Sequence, residues 1–143
     1  MSKEAKSPRF VFLVSQAYRK LQRWTETRPG KWEGISTAQV GLLFMLASRN
    51  QATIGEIAQA LQVAPAATTN LSKRMEASGL IERIADQDDG RVTRLRLTQS
   101  GEDASAQSRK MLNELNKRIS DGFSNEELAT VARWLSHVSD LSL

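Results

Sequence analysis

The stretch Leu80–Thr98, LIERIADQDDGRVTRLRLT, decides the fold of this chain. Its ends have the character of two short strands, Leu80 to Ala85 and Val92 to Thr98, joined by the polar tip DQDDGR. Gly90 stands where a tight turn can require positive φ, and the flanking Asp residues tolerate the same geometry. Along the second strand Leu95 and Leu97 alternate with Arg94 and Arg96, which predicts one apolar and one cationic face. A hairpin of this kind, placed just after two short helices, is suited to touch a polyanion. The competing reading is a solvated hairpin whose arginines only keep an exposed edge soluble.

Working outward, helical periodicity and end signals divide the rest. Phe10, Leu13, Val14, Ala17, Leu21 and Trp24 recur at three- and four-residue steps, predicting an amphipathic helix from about Pro8 to Thr27 that Arg28-Pro29-Gly30 stops. Ser36-Thr-Ala-Gln39 is a capping box, with Ile35 and Val40 as a hydrophobic staple, and opens a largely apolar, central helix to about Ser48. Thr53-Ile-Gly-Glu56 is a second capping box, for a short helix with Ile54, Ile57, Ala58 and Leu61 inward. After a brief turn at Gln62-Val63, Pro65 suits the first position of another helix, which ends near Ser78 with Gly79 as the left-handed residue beyond it. Two short helices across a turn, followed by a hairpin, form a winged helix-turn-helix pattern. A long polar helix follows from Thr98 to about Asp121. Ser124-Asn-Glu-Glu127 is a third capping box, stapled by Phe123 and Leu128, and opens a last helix striped with Leu128, Val131, Leu135, Val138 and Leu141. The fold class expected is mostly α, an α+β winged helix of about six helices and a hairpin wing.

The terminal helices carry more apolar surface than so small a core can cover. A second copy of the chain is the cheapest supplier of the missing surface, against the alternative of an intrachain three-helix packing.

The 143 residues amount to one domain. No apolar run approaches the roughly 18 residues of a membrane span, and Phe10 to Val14 is too short for a signal-peptide core. A cytoplasmic protein is therefore expected. The absence of cysteine excludes disulfides and thiolate metal sites, and a zinc site would need more ligands than one histidine offers. The formal charge is +4, unevenly spread. Residues 1–31 hold eight Lys/Arg against two Asp/Glu, residues 32–100 seven against seven, and residues 101–143 five against seven. The middle segment can meet a polyanion only if its cations are sorted onto one face.

These residues resemble the MarR family of bacterial transcription regulators over nearly the whole chain. The most specific match is Asp89-Gly-Arg91-Val-Thr-Arg-Leu95-Arg-Leu97-Thr98, which fits that family's wing signature D-x-R-x-x-x-L-x-L-T at every fixed position, with Ser100-Gly101 extending it. Ile57-Ala58, Leu61, Val63, Thr69, Leu71, Arg74, Glu76, Gly79-Leu80 and Glu82-Arg83 are similar to its helix-turn-helix register. The resemblance implies a single domain over 1–143, with dimerisation helices in 1–34 and 101–143 and a DNA-binding lobe in 35–100. It implies an intertwined homodimer on a pseudo-palindromic double-stranded operator, most often as a repressor. It also implies release by a small anionic aromatic effector bound between the dimer helices and the DNA-binding lobe.

In that mode the helix from Pro65 to Ala77 enters the major groove, with Pro65, Ala66, Thr68, Thr69, Asn70 and Lys73 as its exposed early positions. Asn can bridge adenine N6 and N7, Thr can donate to a base edge or phosphate, and Lys suits a phosphate. Arg91 is similar to the arginine the family sets at the minor groove, Arg94 adds a second wing cation, and Asp89 is placed to hold Arg91. Asp86 and Asp88 lack such a role unless they pair with Arg83 or Arg94. Two departures stand out. Ala64 replaces the usual capping Ser, forfeiting about 1 kcal/mol, and Asn70 stands where Arg is frequent. Binding should then depend unusually on the wing.

Trp24 and Trp32 either flank an effector pocket or merely seal the dimer helices. His137 is expected at a surface or interface. No catalytic constellation, cofactor motif or Gly-rich phosphate loop is present, and Glu126 and Glu127 are explained by helix capping. The remaining competitor is a winged helix used for protein–protein contact without DNA.

Overall fold

The computed structural model describes residues 9–27 and 36–143. Its elements run α1 (Phe10–Glu26), α2 (Thr37–Arg49), β1 (Ala52–Thr53), α3 (Ile54–Leu61), α4 (Pro65–Ala77), β2 (Ile81–Ala85), β3 (Thr93–Leu97), α5 (Gln99–Ser120) and α6 (Asn125–Asp140). The chain divides into two compact units, Met1–Ser105 and Ala106–Leu143. The expected stop at Arg28-Pro29-Gly30, Trp32 and the Ile35 half of the staple lie outside the described residues.

All three capping boxes form. Ser36, Thr53 and Ser124 each accept a backbone N–H from the residue three on, at 3.3, 3.2 and 3.1 Å. The side chains of Gln39, Glu56 and Glu127 accept the capping residue's own N–H in return, at 2.9, 2.9 and 2.8 Å. Each box satisfies two donors that a helix start would otherwise orphan. By contrast α4 begins at Pro65 with no side-chain cap from Ala64.

The core of the first unit is built around α2. Leu42, Leu43 and Leu46 are essentially inaccessible and pack with Ile57 of α3, Leu71 and Met75 of α4, Ile81, Leu95 and Ala104. Apolar residues around most of its circumference make α2 a central helix, as expected. It ends at Asn50, φ 65° and ψ −44°, the centre of a γ-turn closed by the Gln51 amide on the Arg49 carbonyl at 2.8 Å.

That turn feeds β1, a strand the sequence reading missed. It is only two residues long, too short to show alternation, and exists because β3 offers it an edge. The sheet is antiparallel in the order β1-β3-β2, with Ala52 opposite Leu95, Thr53 opposite Arg94, and Ile81 opposite Leu97. Central position in this sheet explains why Leu95 is completely buried.

The first hairpin strand starts one residue later than the sequence suggests, and the second is one residue shorter at each end. Leu80 is taken by the end of α4: Gly79, at φ 75°, donates to the Glu76 carbonyl, and Leu80 donates to that of Met75. This Schellman closure uses the amide that a strand would have used. Thr98 likewise leaves the strand to start α5. Its hydroxyl donates to the Gly79 carbonyl at 2.6 Å and accepts the Gly101 amide at 3.1 Å. The exit of α4 and the entry of α5 are thus fastened to one side chain.

In the second unit α5 closes at Gly122, φ 84°, and α6 follows its capping box. No residue of α6 is buried.

Candidate nucleic-acid interface

Two elements carry the expected contact residues. On α4, Pro65, Ala66, Asn70 and Lys73 are exposed and Thr69 is half-buried. Thr68 is a correction. It was expected among the exposed positions but is fully buried, its hydroxyl donating to the Ala64 carbonyl at 3.1 Å. Its place one turn before Ser72, which is also buried and bonded to the Thr68 carbonyl at 2.8 Å, puts it on the core face of α4. Of the expected contact residues, those left outward offer one amide, one hydroxyl and one ammonium beside Pro65 and Ala66, and Arg74 is exposed next to Lys73.

On the hairpin the expected free cationic face is largely neutralised. Arg96 pairs with Glu82 across the strands at 2.6 Å, and Arg83 pairs with Glu76 of α4 at 2.7 Å. Arg94 pairs with Asp86 at 2.7 Å and lies 3.8 Å from Glu56. These three arginine side chains are 31% to 48% exposed, whereas that of Arg91, at the tip, is 91% exposed. Arg91 is therefore the wing cation presented to solvent.

It is presented in a fixed pose. The Asp89 carboxylate accepts Arg91 Nε at 3.1 Å on one oxygen and Nη2 at 3.2 Å on the other, and its Oδ1 also accepts the Arg91 amide at 3.0 Å. Such a fork-to-carboxylate pair restricts the guanidinium more than a single contact would. The expected pairing is present, but by another route: Asp89 to Val92 form a turn, closed by the Val92 amide on the Asp89 carbonyl, rather than extended strand. Gly90 does not adopt the left-handed conformation expected of it.

The tip is shaped instead by Asp86. Its Oδ1 accepts the amides of Asp88 at 2.8 Å and Asp89 at 3.4 Å, while Oδ2 takes Arg94 Nε. An Asp side chain capping the backbone two residues on is a recognised turn device, and the signal was present at Asp86-Gln-Asp88. Both working carboxylates titrate below the ordinary aspartate range. Arg94, then the Asp88 amide, lowers Asp86; the Arg91 side chain, then its amide, lowers Asp89. Asp86 in turn raises Arg94 above its usual value.

Trp24 is half-buried on α1. Among the described residues no group of His, Asp and Glu is arranged to hold a metal ion, and no helix is long and apolar enough to cross a membrane.

Fold and site together define a winged helix-turn-helix protein. The MarR family model matches residues 35–93. The HTH-type transcriptional repressor MdtR of Bacillus subtilis is 34% identical over 70 residues, 49% of this chain and 45% of that protein. The HTH-type transcriptional regulator BilQ of Clostridioides difficile is 27% identical over 100 residues, 70% of this chain and 67% of its own. The matched stretch thus spans about half the length of MdtR and two thirds of BilQ. Among solved structures, the S. aureus MepR–DNA complex superposes with a TM-score of 0.82 at 23% identity, covering 93% of this chain and 98% of that one. A MarR mutant from E. coli complexed with operator DNA gives 0.80 at 22%, covering 90% and 92%. At such identities the structural likeness speaks for the fold alone. Over residues 35–93, then, the chain is similar to the MarR family.

Proposed function

We propose that this chain is a dimeric, sequence-specific DNA-binding transcription regulator that acts by occluding a pseudo-palindromic operator. In this reading α4 enters the major groove and Arg91 reaches the adjacent minor groove. The observation that carries it is the wing tip: one highly exposed guanidinium, held in a defined pose by Asp89, on a hairpin whose other arginines are already paired. A guanidinium held this way enters a narrow, electronegative groove without losing side-chain freedom at that moment. On α4, Asn70 and Thr69 are the base readers and Lys73 a phosphate contact.

Dimerisation is supported by the surface. Phe10, Phe12, Leu13 and Tyr18 on α1 are 50% exposed or more, and Val131, Leu135 and Val138 on α6 remain accessible. Apolar rows of this extent on two long helices are covered in solution by another protein surface. A two-fold dimer is the arrangement that a palindromic site requires, with recognition helices about one DNA turn apart. Release by a small aromatic acid, with Trp24 and Trp32 beside its site, belongs to the same proposal. A DNA partner makes the cytoplasm the place of action.

The test is a mobility shift on the chain's own upstream region at low ionic strength, repeated as salt is raised. Binding should weaken steeply with salt, and Arg91→Ala should lower the slope of log K against log salt by about one for each wing engaged. A chain that shifts no duplex, or whose binding to any partner ignores salt and Arg91, is instead a protein–protein module.

A further inference from the structure

An acidic residue on a DNA-facing hairpin is an electrostatic liability, and Asp86 is the one acid of this wing tip that is nearly enclosed. Its side chain is 13% exposed. Three donors converge on it: Arg94 Nε at 2.7 Å and the amides of Asp88 and Asp89 at 2.8 and 3.4 Å. Asp89 is the residue that grips Arg91. On the other side, Arg94 lies 3.8 Å from Oε2 of Glu56, the oxygen that also accepts the Thr53 amide in the capping box of α3. Thr53 is in turn the ladder partner of Arg94. A continuous set of contacts therefore runs from the first turn of α3 through Glu56, Arg94 and Asp86 to the tip backbone, and on through Asp89 to Arg91.

We propose that Asp86 and Arg94 are positioning residues for DNA binding, fixing the wing tip against α3 so that Arg91 meets the groove in one pose, and that Arg94 is not itself a DNA contact. The proposal rests on the reading of Arg91 as the wing's groove contact. Arg94 suits the role because its fork spans two acids from different elements, which a lysine would not do with the same directionality. Asp86 suits it because one carboxylate ties a strand side chain to two tip amides, so opening the turn breaks three hydrogen bonds together.

The proposal makes a prediction opposite in sign to simple electrostatics. Removing a negative charge close to the phosphates should by Coulomb attraction strengthen binding. If Asp86 positions Arg91, its removal weakens binding instead. The experiment measures operator affinity at about 0.1 M salt for Arg91→Ala, Asp86→Ala, Arg94→Ala and the Asp86→Ala/Arg91→Ala double variant. Asp86→Asn, of nearly unchanged shape, serves if the alanine variant is poorly folded by thermal melting. One phosphate contact is worth roughly eightfold at this salt by counterion release, so Arg91→Ala should lose about that much per wing. Asp86→Ala, Asp86→Asn and Arg94→Ala should each lose a large part of it. The double variant should bind no more weakly than Arg91→Ala alone, because Asp86 acts only through Arg91. Faster hydrogen exchange of the Asp88 and Asp89 amides in the free Asp86 variants would accompany the loss. Binding that is unchanged or tighter without Asp86, or losses that multiply in the double variant, would overturn the positioning role. Should Arg91→Ala itself lose nothing, the wing reading beneath it fails as well, and the two failures are thereby told apart.

Discussion

Gly101 shows how closely single atoms set this structure. A Cβ built there would lie 2.0 Å from the Leu80 carbonyl oxygen, with Leu97 also within contact. The conflict is with backbone, which cannot swing aside as a flexible side chain would. Gly101→Ala should therefore destabilise the fold by about 1–3 kcal/mol through overpacking, read as a lowered denaturation midpoint. A neutral result would mean that the fastening of α4 to α5 through Thr98 is looser than its 2.6 Å bond suggests. At the same scale, Asp86 and Asp89 set a pH limit. Their folded-state pKa values lie below the ordinary 3.8, so the ionised form is the one the fold stabilises. That contribution is fully present above the unfolded value and is lost as pH falls through the lowered folded values. Wing geometry should thus be constant from pH 5 to 8, and any DNA-affinity change in that range must come from other groups. A fall in tip-amide protection between pH 7 and pH 5 would contradict this.

At the scale of elements, the proposed reading divides the work between α4 and the hairpin. The outward face of α4 carries two adjacent exposed cations, Lys73 and Arg74, and no others, so in the proposed reading its role is discrimination more than attraction. Asn70→Ala and Thr69→Ala should therefore change which operator bases matter, each costing about 1–3 kcal/mol at the affected position and little on random DNA. Selected binding sites that came out identical for variants and parent would remove α4 from base reading. The cap of α3 is a separate matter of stability. Thr53→Ala deletes a box that closes on both sides, and should cost about 1 kcal/mol in a thermal or denaturant melt.

At the scale of the molecule, the proposed dimer and its palindromic site rest on the exposed rows of α1 and α6. Leu135→Asp places a charge in the α6 row without touching the core, since Leu135 is 43% exposed in the single chain. It should shift sedimentation from dimer toward monomer, with thermal stability of the lobe little changed and operator affinity falling to that of one half-site. A parent chain that sediments as a monomer at micromolar concentration would end the dimer proposal.

How much of this was legible in the chain follows from how local each cause is. The capping boxes at Ser36, Thr53 and Ser124, Pro65 at the start of α4 and Gly79 beyond its end were all evident, because each depends on residues within one turn. So was the hairpin, whose alternating leucines need a buried face. Three things were not. Thr68 faces inward because the core lies on that side of α4, which sequence spacing alone does not orient. β1 exists only because β3 lends it hydrogen-bond partners from 41 residues away in the ladder of Thr53 with Arg94. Arg94 and Arg96 lost their freedom to Asp86 and Glu82 because antiparallel register and the turn, not composition, choose which acid meets which base. Periodicity and end signals determined the elements by short-range physics; the pairing of charges and the choice of one presented arginine were decided only when those elements packed.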